Sequence, residues 1–212
     1  MTDIQEQRRS RGGKRRQEIL DAAAAIFAEK GYEATSIQDI AESVDILKGS
    51  LYYYVNSKED LLYEVIEEVH EAGLANMLEQ QSADETTAPL DRLRRLVTEH
   101  VTYNAENVEK IAVFFHDFRS LTDDRRQHII SERDLYERRL REILEDGKAS
   151  GEICPGLNVQ LASFALFGMM NWVYHWFREG GSLTSAQVAD GFAEMAVRAV
   201  ACPGGDHEGH RA

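Results

Sequence analysis

Apolar side chains recur along almost the whole chain at steps of three and four residues. That spacing puts them on one stripe of a helix and scatters them over both faces of a strand. Ile19, Ala22, Ala23, Ile26 and Phe27 form the first stripe, and Lys30-Gly31 supplies a C-cap glycine after it. Ile37, Ile40, Ala41 and Val44 form the second, with Thr35 or Ser36 as N-cap. Asp45 to Lys48 leads into a short third helix, Gly49 to Val55, which Asn56-Ser57 breaks. Ser57-Lys58-Glu59-Asp60 reads as a capping box that opens a stripe of Leu62, Val65, Ile66 and Val69. After a polar loop, residues 80–89, the spacing resumes at Leu90, Leu93, Val97 and Val101, over the aromatic-rich Asn107 to Leu121, and along a charged helix from Thr122 to Lys148. Cys154-Pro155-Gly156 is a break, Asn158 to Glu179 is the most apolar helix, and the last helix opens at Ser182 to Thr184 and ends near Ala201. With only 3 prolines in 212 residues, the expected fold is all-α.

Charge divides the chain unevenly. The formal net charge is -13, yet residues 1–58 balance, so all the acidic excess lies beyond them. Arg8, Arg9, Arg11, Lys14, Arg15 and Arg16 crowd the first sixteen residues. A basic arm on a neutral head with an acidic body suits a protein that meets phosphate at one end, with Lys14 and Arg15 as contacts; a solvated tail explains the same charges equally well. No apolar run is long enough for a membrane span and the N-terminus has no signal-peptide core. Cys154 and Cys202 show no metal or redox spacing, and a reduced cytoplasmic protein is expected.

Two short helices joined by a tight turn and braced by a third make a helix-turn-helix, whose second helix enters the major groove. Leu47 and Leu51 are expected to point inward, and Ser50, Tyr53 and Tyr54 to share another face. Tyr52, Tyr53 and Tyr54 project about 100° apart, so core packing cannot absorb all three. Tyr52 is expected inside and at least one of the others outside, where a ring and hydroxyl suit a groove edge. Lys48 and Lys58 flank this helix as phosphate contacts. Thr35 and Ser36 offer hydroxyls and backbone N–H groups at a helix start.

The stretches Ile19-Leu20-Asp21-Ala22-Ala23, Phe27-Ala28-Glu29-Lys30-Gly31-Tyr32, Thr35-Ser36-Ile37-Gln38-Asp39-Ile40-Ala41, Lys48-Gly49-Ser50-Leu51-Tyr52-Tyr53-Tyr54 and Ser57-Lys58-Glu59-Asp60-Leu61-Leu62 resemble the N-terminal signature of TetR-family regulators. The resemblance covers residues 15–65. It implies an all-helical protein of about nine helices, a homodimer and a palindromic operator. It carries DNA contacts onto Thr35, Ser36, Lys48, Ser50, Tyr53, Tyr54 and Lys58. The sequence departs from the pattern at Asp45, where glycine is usual, at Leu47, where a small hydroxyl residue is usual, and at Val55, where phenylalanine is usual. Asp tolerates left-handed backbone, so the turn is expected to survive. The resulting organisation is a flexible basic arm over 1–16, the DNA-binding head over 17–60, a ligand-binding and dimerisation domain over 61–202, and a disordered tail over 203–212.

In the second half, Leu161 to Phe177 is apolar nearly all round and divides into two stripes. Leu161, Phe164, Ala165, Gly168, Trp172 and Trp176 form one; Leu166, Phe167, Met170, Val173, Tyr174 and Phe177 form the other. One is expected to face the interior, the other a second copy of the chain together with Phe192, Met195 and Val200 of the last helix. The interface set is thus Phe164, Gly168, Trp172, Trp176, Phe192 and Met195. The interior stripe is expected to meet Ile111, Phe114, Phe115 and Phe118, with His116, Arg119, Asn171 and His175 as polar groups in an apolar pocket. Phe114, Phe115, Phe118, Arg119, Phe167, Met170, Asn171, Tyr174 and His175 are the candidate lining; ordinary core is the alternative. Gly168 to Phe177, with Ile46-Leu47 and Gly49-Ser50-Leu51-Tyr52, is similar to the branch of TetR repressors governing fatty-acid and steroid catabolism. That similarity implies an acyl-CoA effector, with a free hydrophobic drug or phenolic as second choice. No nucleophile elbow, phosphate loop, paired carboxylates or metal-ligand spacing points to an enzyme, a cofactor or a metal site. A helical scaffold without an effector is the remaining rival. Repressor and activator action are both compatible with these residues.

Overall fold

The computed structural model describes the backbone of residues 2–81 and 87–202 and the side chains of residues 13–71 and 87–202. The centre of the polar loop and the tail over 203–212 lie outside these residues. Ten α-helical segments occur among them: α1 (Thr2–Lys30), α2 (Ile37–Ser43), α3 (Lys48–Leu51), α4 (Lys58–Gln81), α5 (Pro89–Glu106), α6 (Val108–Asp117), α7 (Asp123–Ser150), α8 (Val159–Asn171), α9 (Val173–Trp176) and α10 (Ser185–Val200). Helix α9 resumes α8 after an interruption at Trp172, so the pair replaces the single helix expected from Asn158 to Glu179. The described residues hold no strand, only an isolated antiparallel bridge between Ile153 and Ala201. None of their helices is long and apolar enough to cross a membrane.

The arm expected to be flexible is helical here: α1 runs without a break from Thr2. Gln, Glu and Arg are good helix formers, and extending a nucleated helix needs only one residue fixed per added hydrogen bond.

The chain divides into two compact units, one of residues 1–72 with 107–132, the other of residues 73–106 with 133–212. The first, called the head unit below, packs around Ile19, Ala23, Phe27, Ile40, Leu51, Leu61, Leu62 and Ile66. Helix α6 adds Val113 and Phe114 to this core, and the start of α7 adds Ile129. Lys110 of α6 binds Asp21 of α1 at 2.9 Å and Glu68 of α4 at 2.8 Å. These bonds raise the ammonium's pKa despite the opposing effect of burial. In the first turn of α7, Arg125 grips Glu59 and Asp60 of α4 and lies 4.7 Å from the Tyr63 ring centre. The Arg125 contact holds the Asp60 carboxyl below its usual range.

The second unit has its core along α5, α8 and α10, through Leu93, Val97, Val101, Leu166, Met170, Val188, Ala189, Ala193 and Ala196. Buried Arg92 reaches Asp146 at 2.8 Å, and Asn104 donates to the Met170 carbonyl at 3.2 Å. Helix α7 belongs to both units, crossing from one to the other at residue 132.

Candidate functional site

Local chemistry shapes the helix-turn-helix. Ser36 caps α2 in a reciprocal box: its hydroxyl accepts from the Asp39 N–H at 3.2 Å, and the Asp39 carboxylate accepts from the Ser36 N–H at 2.8 Å. The Ser36 backbone N–H, with the Ser36 hydroxyl beside it, holds the Asp39 carboxyl below its ordinary range. At the other end, the Ile46 N–H bonds the Ala41 carbonyl at 3.0 Å and the Asp45 N–H bonds Glu42 at 3.2 Å, the paired bonds of a Schellman ending. Asp45 takes φ +53°, so the turn survives without its glycine, as its chemistry predicts. Helix α3 follows at once and its α-helical part is short; the chain then continues in turns to Tyr54 through Tyr53 N–H to Ser50 and Tyr54 N–H to Leu51 bonds.

The reading face differs in detail from expectation. Leu51 is fully buried, but Leu47 is 79% exposed, because its extended backbone at the N-cap turns the side chain away from the core. Among the tyrosines, Tyr53 is 90% exposed and Tyr52 is exposed, while Tyr54 packs against the core. The inward ring is therefore Tyr54, which lies one turn beyond Leu51 on the buried side. Lys48 is exposed and Ser50 half-buried.

Three expected phosphate contacts have other work. Thr35 is 3% exposed and donates to the Gly31 carbonyl at 2.9 Å, so it serves the α1–α2 connection. The Lys58 ammonium donates to the carbonyls of Tyr32, Thr35 and Glu33 at 2.8, 2.9 and 3.5 Å, and sits 4.2 Å from the Tyr32 ring centre. That cation closes the connection onto the start of α4. Arg15 bonds the Val44 carbonyl and Glu18. Lys14 and Ser36 remain exposed, together with Lys48 and Tyr53.

The two stripes of the α8–α9 segment separate as predicted, and the structure decides which is which. Leu166, Met170, Val173 and Phe177 are buried. Leu161, Phe164, Trp172 and Trp176 are exposed, Trp172 to 55%, and so is Met195 of α10. Trp176 stacks on half-buried Phe192 with centroids 6.2 Å apart, joining α9 to α10 in one aromatic surface. Gly168 lies within it and is also exposed.

The expected pocket lining is divided between the two units, Phe114, Phe115, Phe118 and Arg119 in the head unit and Phe167, Met170, Asn171, Tyr174 and His175 in the second. Phe114 and Phe118 belong to the head unit, where the Phe114 ring lies 4.8 Å from both His70 and Phe115 and 5.5 Å from Phe118. Arg119, His116 and His175 are exposed rather than embedded. His175 stacks on Trp172 at 4.3 Å, and so belongs to the aromatic surface, near half-buried Tyr174.

Inside the second unit the structure assembles a polar cluster that sequence reading missed. His100 of α5 meets Asn171 Oδ1 through Nε2 at 2.8 Å and the Tyr136 hydroxyl through Nδ1 at 3.2 Å. Phe167 and Tyr136 flank the imidazole, with centroids at 5.9 and 5.5 Å. Burial lowers His100 to about 4, against the opposing effect of the Asn171 bond. Burial, helped by Glu99, raises Tyr136 far above its ordinary range. The ring is thus neutral, and the bonding pattern assigns the tautomer: Nε2–H donates to Asn171 and Nδ1 accepts from Tyr136. All four side chains are half-buried. The available signal was position: His100 and Asn104 continue the inner stripe Leu93, Leu96, Val97 where an apolar residue is the norm.

Comparison with known proteins agrees with this architecture. Residues 19–65 match the family described as bacterial regulatory proteins, tetR family, and residues 86–200 match the tetracyclin repressor-like C-terminal domain. The HTH-type transcriptional repressor KstR2 of Rhodococcus jostii (strain RHA1) is 31% identical over 194 residues, which cover 89% of this chain and 92% of the relative. The structure of the ketosteroid transcriptional regulator KstR2 of Mycobacterium tuberculosis superposes with a TM-score of 0.83 at 27% identity, covering 89% of this chain and 96% of the other. The crystal structure of AibR in complex with isovaleryl coenzyme A and operator DNA gives a TM-score of 0.71 at 29% identity, covering 85% and 97%.

Proposed function

The chain belongs to the TetR family of bacterial transcriptional regulators, and from that premise we propose that it is a dimeric repressor released from operator DNA by a hydrophobic acyl-CoA. The observation that carries the DNA reading is the exposed set Leu47, Lys48 and Tyr53 around the short helix α3, with Ser50 beside it. Tyr53 offers a hydroxyl to a base edge or phosphate and Lys48 a cation to phosphate. Thr35 and Lys58 brace the α1–α2 connection, and Arg15 the end of α2 that precedes this face. Tyr52, Tyr54, Ser36 and Lys14 complete its surroundings.

In the dimer, Phe164, Gly168, Trp172, Trp176, Phe192 and Met195 meet the same surface of a second copy. A surface this aromatic on a monomer needs a cover. Two heads held about 34–36 Å apart reach successive major grooves of a palindromic site.

The effector reading rests on the His100, Tyr136 and Asn171 cluster with Phe167 and Met170 beside it. The neutral imidazole lends the cluster no charge. It therefore favours an uncharged polar function, such as a thioester carbonyl, over a free carboxylate, which would be stranded without a cation. Helix α7 carries Tyr136 and, eleven residues earlier, Arg125 on the first turn of α4. Helix α7 thus carries both a member of the effector cluster and the arginine that binds the start of α4. Release requires the ligand to bind the DNA-incompetent state more tightly.

A gel shift on an operator selected from random duplexes tests this. Long-chain acyl-CoA is expected to weaken the complex at least tenfold, and the free fatty acid to leave it unchanged. Unchanged affinity at saturating acyl-CoA rejects that effector; no selected operator at all rejects the DNA reading.

A further inference from the structure

We propose that Cys154 and Cys202 form a redox site, a thiol pair that peroxide closes into an intrachain disulfide. They are the chain's only cysteines, and their distance in sequence hides their proximity. The bridge between Ile153 and Ala201 brings them together: the Cys154 N–H donates to the Val200 carbonyl at 3.3 Å, and the Cys202 N–H donates to Glu152 at 3.0 Å. Ile153 is fully buried. Side chains alternate along extended chain, so the residues after Ile153 and Ala201 lie on the same face of the bridge, diagonal to one another across the antiparallel pair. There the Cys154 Sγ reaches the carbonyl of Ala201, the residue just before Cys202, at 3.7 Å, and the influence of Cys154 on the Cys202 thiol agrees with that proximity. Both are partly open to solvent, so a small oxidant can enter.

The anchorage is firm. Ile153 packs so closely on Gly147 that a Cβ there would lie 2.5 Å from its Cδ1. The site thus joins the α7–α8 connection to the end of α10.

The contact with Cys154 pushes the Cys202 thiol up, and the chemistry balances whichever sulfur leads. In the order with Cys154 first, its thiolate attacks hydrogen peroxide; an S–O bond forms, the O–O bond breaks, and the departing hydroxide takes a proton to become water. The Cys202 sulfur then attacks the sulfenic sulfur; the S–S bond forms, the S–O bond breaks, and a second water leaves with the thiol proton. Two thiols are oxidised and one peroxide is reduced.

Purified full-length protein, fully reduced, is treated with stoichiometric hydrogen peroxide and, separately, with diamide. Both free thiols are expected to disappear, with a mass loss of about 2 Da, a cross-linked peptide pair containing Cys154 and Cys202, and full reversal by dithiothreitol. Closing a loop of this length is expected to raise Tm by about 5–10 °C. The C154S variant is expected to yield no intrachain cross-link and no gain in Tm under the same treatment. Oxygen adducts without a cross-link, disulfides between two chains, or two thiols that survive both oxidants overturn the proposal.

Discussion

Both units leave aromatic side chains in solvent, and the character of each surface tells its partner. On the head, Leu47 and Tyr53 flank the short helix α3 that carries Lys48, a narrow patch of ring, methyl groups, hydroxyl and cation. On the second unit, Phe164, Trp172, Trp176 and Met195 spread over parts of three helices. The first composition matches a charged, grooved polymer and the second matches a copy of itself. The interiors contrast as well. The head holds its helices with ion pairs around Lys110 and Arg125, whereas the second unit holds a neutral hydrogen-bonded trio around His100.

The largest expected effect tests the wide surface. Replacing Trp172 and Trp176 together with glutamate buries like charges against each other in the proposed interface. Light scattering should show monomers, and operator affinity should fall more than about 100-fold as the second head is lost. A dimer that persists would assign this surface to another partner.

Tyr53→Ala addresses the narrow surface. Loss of a groove contact is worth about 1–3 kcal/mol, so operator affinity should fall about tenfold to 100-fold. Tm should stay within about 1 °C, because so exposed a ring supports no core. Lys58→Met makes the counterpart: its ammonium closes the α1–α2 connection, so Tm should fall where Tyr53→Ala leaves it unchanged.

The contrast between interiors gives a pH signature. His100 binds a proton near pH 6.5 when unfolded and only near pH 4 when folded. Between those values the unfolded state holds more protons, so stability falls as the pH drops through this window and is fully present above it. The cost between pH 7 and pH 5 is about 2 kcal/mol, or about 4–8 °C in Tm. His100→Gln should flatten that part of the Tm profile; an unchanged slope would assign the acid sensitivity elsewhere.

The smallest effect concerns Leu47. Leu47→Ser restores a hydroxyl where the family usually has one, without disturbing the core. A change of about twofold to tenfold in operator affinity, at constant Tm, is expected. A fall of the size expected for Tyr53→Ala would make Leu47 an equal partner in recognition.

Much of the head was legible because its signals are local. The cap at Ser36, the glycine at Gly31 and the left-handed turn at Asp45 each depend on neighbours within a few residues. The division of the α8–α9 segment into two stripes was legible for the same reason: a helix imposes it wherever the helix goes. Local reasoning was silent where a distant partner decided. The Lys58 ammonium binds the carbonyls of Tyr32 and Thr35, and His175 stacks on the outer Trp172, and neither contact shows in the local sequence.

The sequence by itself determined the helices, their caps, the helix-turn-helix and the existence of two opposed apolar faces, because periodicity and capping act over one or two turns. Only the tertiary structure decided which face stays in solvent, that His100, Tyr136 and Asn171 meet on three different helices, and that Cys154 lies beside Cys202. Those juxtapositions come from packing elements far apart along the chain, and spacing along a single helix carries no record of them.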